Sequence, residues 1–125
     1  MRFRVLILTL AVLALAAPSA LAKDGDIERQ GSCSGATSSE LKLSPDNGRI
    51  EVEFEVDQNR SGVRWDVVLK RNGVKLAAAS RTTGGASGSF ELRRVISNST
   101  EADKVTARAV SPSGETCSAN ATFAG

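Results

Sequence analysis

The chain has 125 residues, with 16 basic and 14 acidic side chains, no His, no Tyr, one Trp and two Cys. Without His, Ser-His-Asp and Cys-His catalysis are excluded, as are His-containing zinc sites, and two cysteines are too few for a Cys-only zinc site. So few aromatics also leave no stacking platform for bases or sugars.

The chain opens with Arg2 and Arg4, followed by an apolar run from Val5 to Ala17 broken only by Thr9. Pro18-Ser19 then leads to Ala20-Leu21-Ala22, a small-x-small cleavage site. This is the layout of a secretory signal peptide over residues 1–22. The apolar run is 13 residues, and a spanning helix needs roughly 20. The first cysteine, Cys33, lies too far downstream for a lipid anchor. The expected product is secreted and extracellular.

Cleavage removes Arg2 and Arg4, leaving 14 basic and 14 acidic residues in a mature chain of 103. A neutral mature chain argues against non-specific attraction to nucleic acid or anionic lipid. It is the size of one domain. Its two cysteines, Cys33 and Cys117, predict one intramolecular disulfide in an oxidising compartment.

Residues 23–32 (KDGDIERQGS) are polar and read as a flexible leader to a β-sandwich domain over 33–125. From Ser34 onward the apolar pattern has period two, with turn residues every 8–12 positions, which predicts an all-β sandwich or barrel. A first strand starts near Ala36 and ends on Leu41 and Leu43. Ser44-Pro45-Asp46-Asn47-Gly48 turns the chain into the clearest strand, Arg49–Asp57. There Ile50, Val52, Phe54 and Val56 alternate with Glu51, Glu53, Glu55 and Asp57.

The next strand runs from Val63 to Arg71, with Val63, Trp65, Val67 and Leu69 on one face. Val68 interrupts the polar face. Asn72-Gly73 follows, then Val74, Leu76 and Ala78, a strong hairpin signal because a type I′ turn needs positive φ at both centres. Thr82–Ser89 (TTGGASGS) reads as a flexible loop. Strands then start at Phe90, near Val105 and at Cys117, giving seven in all and no helix of useful length. Seven short strands in about 100 residues fit an immunoglobulin-like or fibronectin type III-like sandwich. In immunoglobulin domains the disulfide joins the second and sixth strands. Here it would staple the start of the first strand to the last.

The stretches GRIEVEFEVD (48–57), VRWDVVLKRNGV (63–74), SGSFELRRVI (87–96) and GETC (114–117) resemble small secreted immunoglobulin-like proteins of actinomycete-type bacteria. That group has no known activity, so the resemblance implies fold and export and nothing about function.

Candidate sites each compete with a plainer reading. Glu51, Glu53 and Glu55 form an acidic stripe, expected to be a solvated strand face. Lys70, Arg71 and Lys75 flank the Asn72-Gly73 turn as a basic tip, suited to docking on an acidic polymer or protein or to protecting a sheet edge. In Arg93-Arg94 one Arg is expected outward and the other at a bulge or edge. Trp65 is expected in the core. Asp46-Asn47-Gly48 and Asp57-Gln58-Asn59 read as turns rather than calcium loops. The loop residues Thr83, Gly84, Gly85 and Ser87 form a second candidate binding surface.

The leading expectation is a monomeric, non-catalytic extracellular binding module without a cofactor. Its partner would be an extracellular protein or an envelope polymer. The alternative is a small inhibitor that inserts the Thr82–Ser89 loop into an extracellular hydrolase.

Overall fold

Alternation of apolar and polar residues is realised as long antiparallel strands throughout. The computed structural model describes residues 25–124. The expected signal peptide, Lys23, Asp24 and Gly125 lie outside the described residues. The long strands are β3 (Ser38–Asp46), β4 (Arg49–Asp57), β5 (Arg64–Arg71), β6 (Val74–Thr82), β7 (Ser89–Ser97), β8 (Asp103–Val110) and β9 (Thr116–Phe123). Two short strands precede them, β1 (Ile27–Gln30) and β2 (Ser32–Cys33). Among the described residues there is no helix.

The strands form two sheets, ordered β1-β3-β4-β7 and β2-β9-β8-β5-β6. Their inner faces bury Leu41 and Leu43 of β3, Ile50, Val52, Phe54 and Val56 of β4, and Leu92 of β7 against Trp65, Val67 and Leu69 of β5 and Val105 of β8. Each fully buried aliphatic or aromatic side chain contributes roughly 1.5–3 kcal/mol of transfer free energy, so this layer drives the fold. Trp65 is wholly buried. Its indole N–H donates to Gln58 Oε1 at 3.1 Å, and its ring lies 6.3 Å from that of Phe90.

The leader expectation is corrected. Ile27–Gln30 pairs with β3, placing Ile27 opposite Leu43, and among the described residues there are nine strands where seven were expected. IERQ holds one apolar residue, too few for a period-two signal. The strand exists because β3 presents an open backbone edge to it. At Gly31 the chain crosses from one sheet to the other, and Ser32–Cys33 pairs with Ser118 and Cys117. A Cβ on Gly31 would lie 2.6 Å from the Ser118 carbonyl oxygen and 2.2 Å from Ser39 Oγ, so only glycine fits this crossing. The crossing sets Cys33 directly opposite Cys117, and the disulfide between them is formed, with Cα atoms 4.1 Å apart.

The Asn72-Gly73 hairpin forms, with φ of 49° and 81° at the two centres. A bulge between Leu69 and Lys70 shifts the phase of β6. Ala77 and Ala79 oppose the core residues Leu69 and Val67, so Ala78 faces outward and Val74 is 69% exposed at the tip. A single extra residue inverts which side chains face inward, and nothing in the spacing announces it.

Three edge strands share one device. Arg29 on β1, Arg81 on β6 and Arg94 on β7 occupy core-side positions, opposite Leu41, Trp65 and Val52. Each donates from Nη1 to the carbonyl of the preceding residue, at 2.9, 3.0 and 2.8 Å. Inward-side charge on an edge opposes pairing with another sheet. Arg94 thus holds the edge position expected of one of the two arginines, and Arg93 faces outward.

Candidate functional site

The sequence-based candidate surface divides into parts at opposite ends of β6. At the Asn72-Gly73 end, Lys70 and Lys75 are register partners and both are exposed. Arg71, next along β5, turns to the other side. It donates to the Ser97 carbonyl and lies 3.6 Å from the buried Asp103 carboxylate. Arg71 is therefore a structural cation and does not extend the basic tip.

At the other end, the 83–88 segment is pinned rather than loose. Thr83 is buried. Its hydroxyl donates to the Arg60 carbonyl at 2.6 Å and accepts from the Val63 N–H at 3.0 Å. Backbone bonds join Gly62 to Thr83, Thr83 to Val63 and Gln58 to Gly88, and Ser61 Oγ donates to the Gly85 carbonyl. A bridge between Gly84 and Ser89 closes the segment into a tight hairpin. Its tip carries only Gly85, Ala86, Ser87 and Gly88.

The outer faces of the two sheets carry opposite charge. On the four-stranded sheet, register aligns Glu28, Lys42, Glu53 and Arg93 in one row across the strands. The neighbouring row is Gln30, Glu40, Glu55 and Glu91, which holds three carboxylates and no cation. Two of the cations here are paired with carboxylates, and a third, Arg49, donates to the Val95 carbonyl at 3.4 Å. Arg93 bonds Glu51 at 2.6 Å. Lys42 lies 3.5 Å from Glu53 and 4.0 Å from Asp26.

Crowding raises two carboxyls on this face. Glu53 is raised by its hydrogen bond with Glu51, then by burial and by Glu91, which outweigh the attraction of Lys42. Glu55 is raised by burial and by the like charges of Glu40, Glu91 and Asp57. For Lys42, burial opposes the charged form, and the attraction of Glu53 and Asp26 prevails to raise its pKa. The acidic stripe lies on the outer face of its sheet, as expected.

On the five-stranded sheet the balance reverses. Lys75, Lys70, Thr106 and Asn120 form one row, and Ala78, Val68, Arg108 and Ser118 the next. Lys104 and Arg64 add further positive charge on the same face. Among the described residues its strands carry one outward carboxylate, Asp66, which accepts from Ser80 Oγ at 2.8 Å, and Arg64 donates to the same hydroxyl at 2.9 Å. Lys70, Lys75, Lys104 and Arg108 are all exposed. Among the described residues, the ion pairs involve Lys42, Arg71 and Arg93 and none of these four.

Between Lys70 and Arg108 lies a shallow depression of about 480 Å³, lined by the polar Thr106, Ser118, Asn120 and Ser32 and by Val68, Ala107 and Ala119. The sequence places Lys70 at the hairpin tip, but nothing local to it brings β8 beside β5. That pairing joins strands separated by two others in the chain, and local periodicity carries no information about it. Among the described residues, no group of three or more Cys, Asp or Glu is arranged to hold a metal ion.

The chain matches no protein-family model, no curated protein and no solved structure.

Proposed function

We propose that this protein is a non-catalytic extracellular binding module, exported by its N-terminal segment, and that the outer face of the five-stranded sheet is its working surface. The observation that carries this reading is the contrast between the two faces. Lys42 and Arg93 on the four-stranded sheet are neutralised by neighbouring carboxylates, whereas Lys70 and Arg108 flank an open depression without an ion-pair partner. Unpaired charges of one sign on a rigid face attract a partner of the other sign. The sheet supplies that rigidity, and the Cys33–Cys117 disulfide fits an oxidising compartment. The order β3-β4-β7 against β9-β8-β5-β6 supports a fibronectin type III-like arrangement, to which β1 and β2 are added at the N-terminal side.

The inhibitor reading would use the 83–88 hairpin. Its pinning supports rigidity, but Gly85, Ala86, Ser87 and Gly88 present no side chain large enough to fill a specificity pocket. The binding-face reading is therefore preferred.

The test is retention of the oxidised mature chain on envelope material from the producing organism. The parent is compared with Lys70→Glu/Arg108→Glu and with Glu53→Gln/Glu91→Gln. Loss of retention in the first variant alone supports the reading. Equal retention of all three proteins overturns it.

A further inference from the structure

The chemistry of the basic face narrows the class of partner, on the premise that this face is the binding surface. We propose that it binds an acidic polysaccharide, with the carboxylates of the polymer at Lys70 and Arg108 and its hydroxyls at the polar groups between them.

Register sets the spacing of those groups. Lys70 is opposite Thr106, and Arg108 lies two residues further along β8, so the two cations are diagonal neighbours, roughly 7–8 Å apart at their backbone positions. Thr106 sits beside Asn120, and Arg108 beside Ser118. Each cation is thus accompanied by a hydroxyl or amide from β8 or β9. Side chains of this kind both donate and accept hydrogen bonds, matching a sugar hydroxyl. An exposed polar face needs no such partner to be stable. Here neutral hydrogen-bonding groups interleave with unpaired cations around one concavity.

Other anionic partners fit less well. Single-stranded nucleic acid is held by stacking its bases on aromatic rings, and the chain's mature aromatics, Phe54, Trp65, Phe90 and Phe123, all belong to the inner-face pattern and pack in or against the core. An acidic protein would need an apolar anchor at the centre of the contact. Here the depression offers the half-buried Val68 and two alanines, Ala107 and Ala119, and no large apolar side chain. A neutral sugar chain would leave Lys70 and Arg108 unused. A shallow depression open to solvent suits a linear polymer lying across the strands better than an enclosed small molecule.

The probe is polygalacturonate, a carboxylate on every sugar, titrated into the oxidised mature chain by calorimetry. Its fully methyl-esterified form and inorganic polyphosphate serve as comparisons. Polygalacturonate is expected to bind, the ester not to bind, and polyphosphate to bind more weakly. Raising salt from about 0.1 to 1 M shortens the screening length from about 10 to 3 Å and should weaken binding about tenfold or more. Lys70→Glu/Arg108→Glu should weaken it by at least about tenfold. Lys70→Ser/Arg108→Ser answers the same question if the reversal fails to fold. Thr106→Ala/Asn120→Ala should lower affinity a few-fold while leaving the salt dependence unchanged, a readout that separates hydrogen bonding from charge.

Equal binding of the ester, or tighter binding of polyphosphate, overturns the glycan assignment. Absence of polygalacturonate binding also overturns it. If envelope retention still depends on Lys70 and Arg108 in that case, the binding-face reading stands and only the ligand class falls. If retention ignores both residues, the face itself is wrong.

Discussion

Arg71 pairs with Asp103 within the five-stranded sheet and reaches across to the other sheet at one end of the sandwich. Arg71 ends β5 and Asp103 begins β8, with Arg71 Nη1 3.6 Å from Asp103 Oδ1. The same guanidinium reaches the Ser97 carbonyl at the end of β7 in the other sheet. Asp103 also accepts from the Ser99 N–H and the Ser99 hydroxyl. One buried carboxylate therefore organises the 98–102 turn and holds the arginine that bridges the sheets.

Asp103→Ala is expected to destabilise the fold by about 2–4 kcal/mol, because it strands the Ser99 donors and a partly buried guanidinium. Asp103→Asn, which keeps one of the two acceptor oxygens in place, should cost less. Chemical denaturation followed by the fluorescence of Trp65, the chain's single tryptophan, measures both. A loss below about 0.5 kcal/mol for the alanine variant would show that the pair does not secure this end.

Cys33 and Cys117 close a sequence separation of 84 residues. On the chain-entropy account a loop of that length contributes roughly 4–5 kcal/mol, an upper figure for most disulfides. Cys33→Ala/Cys117→Ala should therefore lower stability by about 2–4 kcal/mol. The denaturation midpoint, compared with that of the oxidised parent, reports it. An unchanged midpoint would refute the stapling role.

Glu55 imposes a pH dependence of defined sign. Burial and the neighbouring carboxylates raise its pKa in the folded state above the ordinary 4.5, so the fold binds this proton more tightly than the unfolded chain does. The resulting stabilisation is complete below the unfolded value and is lost as pH rises through the raised one. Glu55→Gln should accordingly be more stable than the parent at pH 7. The gain is small, about 0.3 kcal/mol, because the site is exposed and screened. The difference should close once pH falls below the unfolded value and shrink with added salt. Melting curves across pH test this, and a gap that persisted in acid would assign the effect to packing.

Arg29, Arg81 and Arg94 guard three sheet edges. Replacing all three with Thr should change the stability of the monomer by no more than about 0.5 kcal/mol per site and promote concentration-dependent association. Light scattering against concentration, alongside denaturation, separates the effects. Undiminished solubility of the triple variant would remove the protective role.

Much of the inner surface was legible from alternation alone. Val52, Phe54, Trp65 and Leu69 share the apolar face of their alternating strands and are fully buried. The Asn72-Gly73 turn was legible because its backbone demands residues that tolerate positive φ. The disulfide followed from there being only two cysteines. The candidate site was only partly legible. Lys70 and Lys75 belong to it, Arg71 is withdrawn by Asp103, and Arg108, Thr106, Ser118 and Asn120 were not assembled around Lys70.

Period two is a local property, so the sequence by itself determined which side chains share a face of each strand and where the chain must turn. Tertiary structure decided which strands lie side by side. That choice recruited β1 and β2 from a polar leader, shifted the phase of β6 through a bulge, and set β8 between β5 and β9. It also sorted residues 25–124, whose 13 basic and 13 acidic side chains balance, into an acidic face and a basic one. Strand pairing depends on backbone edges and core volume distributed over the whole chain. No window of neighbouring residues contains it.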